Sequence, residues 1–255
     1  MVTASVGFQC PECTKKGAKQ QRLVDVHRRA TEPVLTYALI AINVAVYLFG
    51  IVAGDSISGR YGNLTNRYGL WPLGVGEGEW WRLITSGFLH ASPLHIAFNM
   101  FALYSLGGVL ERTIGRAKFG LIYAVSLAGG SLGVVLLAGA QDVTVGASGA
   151  IFGLFGAFAV LMLSRGQSIM QGGIGGTILL NLVITFAIPG ISIGGHLGGL
   201  ITGAICGAAL MGTNPTQARQ LDAKFNLTGP AVAALGVVMF AIAIVAAPSI
   251  TALTG

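Results

Sequence analysis

Ile191-Ser192-Ile193-Gly194-Gly195-His196-Leu197-Gly198-Gly199-Leu200-Ile201-Thr202-Gly203-Ala204-Ile205-Cys206-Gly207-Ala208-Ala209-Leu210-Met211-Gly212 is apolar over the length a helix needs to cross a bilayer, about 20 residues, yet it carries an imidazole near its start. Lipid solvates such a group poorly, so an ionisable side chain at membrane depth is a functional candidate by default. His95, Asn99 and Ser148 are stranded in the same way inside other apolar runs. Lys, Arg, Asp and Glu are kept to the ends and connections of those runs, which leaves His95 and His196 as the main proton-transfer groups within them. A serine with histidines in a dry compartment reads as nucleophilic chemistry inside a membrane.

Composition agrees with that setting. Hydrophobic residues make up 53% of the chain and charged ones 9%, against roughly 25% charged in soluble domains. The 39 glycines fall within apolar runs, where small residues let membrane helices approach closely. Seven spans are expected, at 34–54, 93–110, 118–140, 147–163, 174–189, 191–212 and 230–252, the fifth and sixth separated only by Pro189-Gly190. The connection 55–92, with Trp80 and Trp81 and few charges, is expected to be a structured loop at the membrane interface. The fold class is therefore all-α: a polytopic membrane helix bundle with a six-helix core and one extra C-terminal helix.

The net charge of +6 forms no single patch, so nucleic acid is not an expected partner, and the basic residues act as a topology signal. Lys15, Lys16, Lys19, Arg22, Arg28 and Arg29 put the N-terminal segment in the cytoplasm. Arg112, Arg116 and Lys118, then Arg165, then Arg219 and Lys224 fall on the same side. Arg60, Arg67 and Arg82 fall outside, all in the first loop. This orientation places the C-terminus outside, and no secretory leader is expected in so polar a beginning. The expected setting is a bacterial plasma membrane. Spans two, four and six all run inward, and His95, Asn99, Ser148 and His196 lie in their first turns, on the order of 5–10 Å below the outer surface. Four polar groups from three helices share one depth, as an active site requires.

The motifs carry a resemblance. Gly146-Ala147-Ser148-Gly149 and His196-Leu197-Gly198-Gly199, each opening a helix, resemble those of the rhomboid family of intramembrane serine proteases. His90-Ala91-Ser92-Pro93-Leu94-His95-Ile96-Ala97-Phe98-Asn99 resembles the family's H-x4-H-x3-N segment, Trp81-Arg82 its first-loop pair, and Gly107-Gly108 with Glu111 and Gly115 its segment after the second helix. The likeness covers roughly residues 34–212 in the family's order. The arginine that members often carry two positions after the glutamate is Thr113 here, with Arg112 beside it. That departure bears on a structural ion pair, not on catalysis.

The resemblance implies a Ser148–His196 dyad. Histidine would take the serine proton and later give it to the departing amine. No acid is placed for a triad: Glu111 falls on the cytoplasmic side and Asp142 lies six residues from the serine. His95 and Asn99, at i and i+4, share a helix face and are the expected oxyanion donors beside the Ser148 amide. For Asn99 alone, a helix–helix hydrogen bond is an equal reading. Gly195, Gly199, Gly203 and Gly207 on span six should meet Gly149, Gly153 and Gly156 on span four. Phe152, one turn below the serine, either buttresses the histidine or fills the core. Gly146, Gly149, Phe152 and Gly199 are thus supporting residues. His90 is expected to organise the loop, and Cys206 to pack.

Four segments follow: a cytoplasmic stretch 1–32, a protease core 33–213, a linker 214–228 and a seventh helix 229–255. Cys10-Pro11-Glu12-Cys13 is half a zinc motif, and Cys10 and Cys13 are read as an incomplete site or inert thiols. The membrane core needs neither metal nor cofactor. Expected partners are transmembrane protein substrates and the lipid bilayer, with the oligomeric state open. The alternatives are a non-catalytic relative that binds and retains membrane helices and, less favoured, a transporter, for which the membrane lacks a carboxylate relay.

Overall fold

Each apolar run forms a helix in the computed structural model, which describes residues 2–3, 8–9, 32–57, 62–170, 173–212 and 225–254. We number the long helices α1 (Val34–Val52), α2 (Pro93–Ile114), α3 (Arg116–Leu137), α4 (Ser148–Ser164), α5 (Ile174–Ala187), α6 (Ile193–Met211) and α7 (Phe225–Thr254). The chain is an all-α, multi-pass membrane helix bundle. Among the described residues, α1, α2, α3, α6 and α7 contain stretches long and apolar enough to cross a bilayer, whereas α4 and α5 are shorter apolar helices. α4 is short because the chain from Ala138 to Ala147 is non-helical, so Ser148 begins its helix below a loop. One small feature was not expected: Val2–Thr3 pairs antiparallel with Phe8–Gln9. Cys10, Cys13 and most of the two polar segments lie outside the described residues.

With lipid outside, apolar burial does little to hold helices together, and close backbone packing must serve instead. α6 is the centre of that packing. A Cβ added to Gly199 would fall on the Gly149 carbonyl, and one on Gly203 on the Gly153 carbonyl, as the four-residue spacing predicts. Gly207 lies against Ala157. Gly195 joins this face through its carbonyl, 3.2 Å from where a Gly149 Cβ would stand, while its own missing side chain faces Ser192 and Val134 of α3. A second glycine face was not foreseen. Gly194 and Gly198 lie on the backbones of Gly133 and Gly129 in α3, so α6 is wedged between two neighbours. Cys206 is free and fully buried, as expected.

The first helix begins at Pro33 with no side-chain cap of its own. Glu111, from the far end of α2, supplies one. Its carboxylate accepts from the Leu35 amide at 3.0 Å, the Thr36 amide at 2.7 Å and the Thr36 hydroxyl at 2.7 Å. A negative group at a helix N-terminus satisfies orphan amides and complements the dipole. Its cation is Arg116, at 3.7 Å, in place of the arginine absent at Thr113.

The described part of the connection 55–92 is structured, as expected. Short helices at Asn63–Tyr68, Pro72–Gly76 and Arg82–Thr85 are gathered by one buried guanidinium. Arg82 donates to the carbonyls of Asn66 (2.9 Å) and Gly69 (2.7 Å), pairs with Glu79 (2.6 Å) and lies over the Trp71 ring. The loop then grips the serine strand: Leu70 and Thr144 exchange both backbone hydrogen bonds, and the Gly146 amide donates to the Ser86 carbonyl at 2.9 Å. α7 packs on α3 and on this loop, with Phe240 edge-on to Trp80 and Pro248 beside Gly76. The seventh helix therefore braces the loop that holds the serine.

Candidate active site

Both histidine helices are started by a serine. Ser92 precedes Pro93, and its hydroxyl accepts from the His95 amide at 3.2 Å. Ser192 does the same for the Gly195 amide at 3.0 Å. An N-cap fixes where a helix begins, so each imidazole leaves the first turn at a set angle. Ser148 is itself the first residue of α4, reached through Gly146 at φ 130°. A Cβ there would stand 2.8 Å from the His95 ring, so only glycine satisfies both the backbone and the neighbour.

The three helix starts converge. His196 Nε2 lies 2.8 Å from Ser148 Oγ. Phe152 stacks on the His196 ring with centroids 3.9 Å apart and planes 15° from parallel, and is itself buried edge-on to Phe155, so it both backs the histidine and fills the core. His196 is buried while Ser148 is half-buried, which leaves the hydroxyl open to an approaching substrate. His95 lies beside Gly146, on the serine's approach. The Ala91 amide points at His95 Nδ1 from 3.4 Å, which makes Nδ1 the acceptor and Nε2 the protonated donor. Asn99 is buried and spends one amide hydrogen on the His95 carbonyl at 2.9 Å, keeping the other. That bond lies within its own helix.

The acids stand apart from the pair. Asp142 accepts from the Gly139 amide at 2.9 Å and closes its own turn, and Glu111 is committed to α1. His90 meets His95 edge to face with centroids 5.1 Å apart. Burial, and then the neighbouring His95, push the His90 imidazole down to about 3, so it is neutral in ordinary conditions. Among the described residues no cluster of three potential metal ligands exists.

One site contact was missed. Thr185 of α5 places its hydroxyl 2.7 Å from His196 Nδ1, on the side of the ring away from the serine. The signal was present in the sequence: Thr177, Asn181 and Thr185 recur every four residues in an otherwise apolar span, which puts them on one face.

The model of the Rhomboid domain matches residues 77–213. Rhomboid protease GluP of Bacillus subtilis is 35% identical over 188 residues, covering 70% of this chain and 35% of that protein. Putative rhomboid protease YdcA of the same organism is 39% identical over 139 residues, 54% of this chain and 67% of its own length. Rhomboid protease AarA of Providencia stuartii is 29% identical over 208 residues, 69% and 72% of the two chains. The chain thus spans about a third of GluP and about two thirds of YdcA.

Proposed function

The chain belongs to the rhomboid family, and from that premise we propose that it is an intramembrane serine endopeptidase that cleaves transmembrane protein segments with a Ser148–His196 dyad. The observation that carries the reading is the 2.8 Å contact between Ser148 Oγ and His196 Nε2. Ser148 Oγ attacks the scissile carbonyl carbon as its proton passes to His196 Nε2. The carbonyl oxygen becomes an oxyanion, met by the His95 Nε2–H, the second Asn99 amide hydrogen and the Ser148 amide. The intermediate collapses, the C–N bond breaks, and His196 gives its proton to the leaving amine. A water then enters, is deprotonated by His196, and releases the acyl fragment from Ser148 by the same steps. A protein that only retained membrane helices would have no use for this alignment of serine, base and donor.

The test is labelling by a serine-directed fluorophosphonate. Wild-type protein should be labelled at Ser148 and Ser148→Ala not at all; equal labelling of both would remove the nucleophile assignment.

The reading includes a topology. The core 33–213 crosses six times, with α4 and α5 as its shorter members, the linker 214–228 is cytoplasmic, and α7 makes a seventh crossing. The N-terminal segment 1–32 is then cytoplasmic, the C-terminus external, and the dyad near the outer leaflet of a bacterial plasma membrane. The one-sided placement of basic residues supports it. A reporter joined after Gly255 should be active only on the external side. Activity confined to the cytoplasm would contradict the seven-span count.

A further inference from the structure

We infer that Thr185 is a positioning residue for the base: its hydroxyl fixes which nitrogen of His196 carries the proton. The argument is one of hydrogen accounting. A threonine hydroxyl has a single hydrogen to donate. Thr185 Oγ1 lies 2.7 Å from the Asn181 carbonyl, a group that can only accept, so the hydrogen is spent there. The same oxygen lies 2.7 Å from His196 Nδ1. With its hydrogen committed, Thr185 can only accept from that nitrogen, so Nδ1 must carry the proton. In the neutral ring Nε2 is then bare and aimed at Ser148 Oγ, ready to take the hydroxyl proton. The opposite tautomer would put a hydrogen on Nε2, between base and nucleophile, and stop the reaction at its first step.

A membrane threonine that bonds back to its i−4 carbonyl is ordinary, and α5 has others. Thr177 bonds the Gly173 carbonyl and Asn181 the Thr177 carbonyl, both on exposed or half-exposed surface. Thr185 differs in two ways. It is the only residue of α5 that is buried among those whose exposure is described, and of these three side chains it alone also meets a side chain from another helix. Among the other described side chains of α5, Ile178 is half-buried against the core and the rest are half-buried or exposed, so Thr185 is the one polar side chain of this helix that is fully drawn inward. In hydrolases with a third group, a carboxylate holds the base in its tautomer; among the described residues it is a neutral hydroxyl that meets His196 Nδ1.

The inference rests on the protease reading for its kinetic arm alone. Histidine is isotope-labelled in the full chain, and imidazole nitrogen NMR assigns the His196 tautomer, with His196→Asn identifying its signals. Wild type should show the proton on Nδ1; a proton on Nε2 overturns the proposal, whether or not the protein is a protease. Thr185→Val keeps the side-chain shape and removes the acceptor. It should populate the Nε2–H tautomer and lower kcat about tenfold with KM unchanged, and Thr185→Ser should restore both. A Thr185→Val protein with wild-type tautomer and kcat, or a rise in KM alone, overturns it too. Failure of wild type to react with fluorophosphonate would sink the dyad reading and leave the tautomer result standing.

Discussion

Ser148→Ala and His196→Ala should each bring cleavage of a transmembrane substrate down to background, a loss of about a millionfold, with the double variant no worse than either. The effects do not add because the two groups form one unit: a hydroxyl without a base is a poor nucleophile, and a base without the hydroxyl has nothing to activate. The variants differ in their cost to the fold. Ser148 is half-buried at a helix start, and alanine there removes one hydroxyl and its bond to His196. His196 is buried and stacked on Phe152, so its truncation leaves a hollow beneath the ring. Ser148→Ala should therefore melt like wild type, and His196→Ala at a somewhat lower temperature. Initial rates on a purified substrate, with melting curves in the same detergent, measure both. Cleavage by Ser148→Ala above the level of the double variant would move the nucleophile elsewhere.

Much of this site was legible because a membrane makes polar residues conspicuous. Ser148, His95, Asn99 and His196 stood out since a bilayer tolerates few such groups without a reason. The helices were legible for the same cause, since backbone amides in lipid must be satisfied within the segment. What escaped was partner choice. The spacing of Gly199 and Gly203 gave a face and named α4 correctly, yet Gly194 and Gly198 on the same helix meet α3 instead. Periodicity gives the direction in which a residue points and not what waits there. Glu111 illustrates the same limit: nothing local says that it caps a helix more than seventy residues earlier in the chain. Thr185 escaped for a subtler reason. A threonine costs little in a membrane helix because it can bond its own backbone, so it does not stand out as a histidine does.

The oxyanion donors should separate in size. His95→Ala is expected to lower kcat about a hundredfold, the loss of roughly 3 kcal/mol that removing one such donor typically costs, with little change in KM. The reason for a kcat effect is that the carbonyl oxygen carries its charge only in and around the transition state, so a donor aimed there binds the ground state weakly. His95 is pre-set for the role. The Ala91 amide occupies Nδ1, the proton is therefore on Nε2, and Gly146 leaves the ring room beside the serine strand. Asn99→Ala should be the milder change. Its amide already spends one hydrogen on the His95 carbonyl, and the His95 ring and the Ser148 amide remain to hold the oxygen. The Asn99 bond also ties it to the backbone that carries His95, so the double variant should lose less than the two singles combined. Turnover and the Michaelis constant, measured for all three variants in detergent and in liposomes, decide the matter. A raised Michaelis constant with turnover unchanged would place both side chains in substrate docking, because a contact made equally in ground and transition states cannot alter the chemical step.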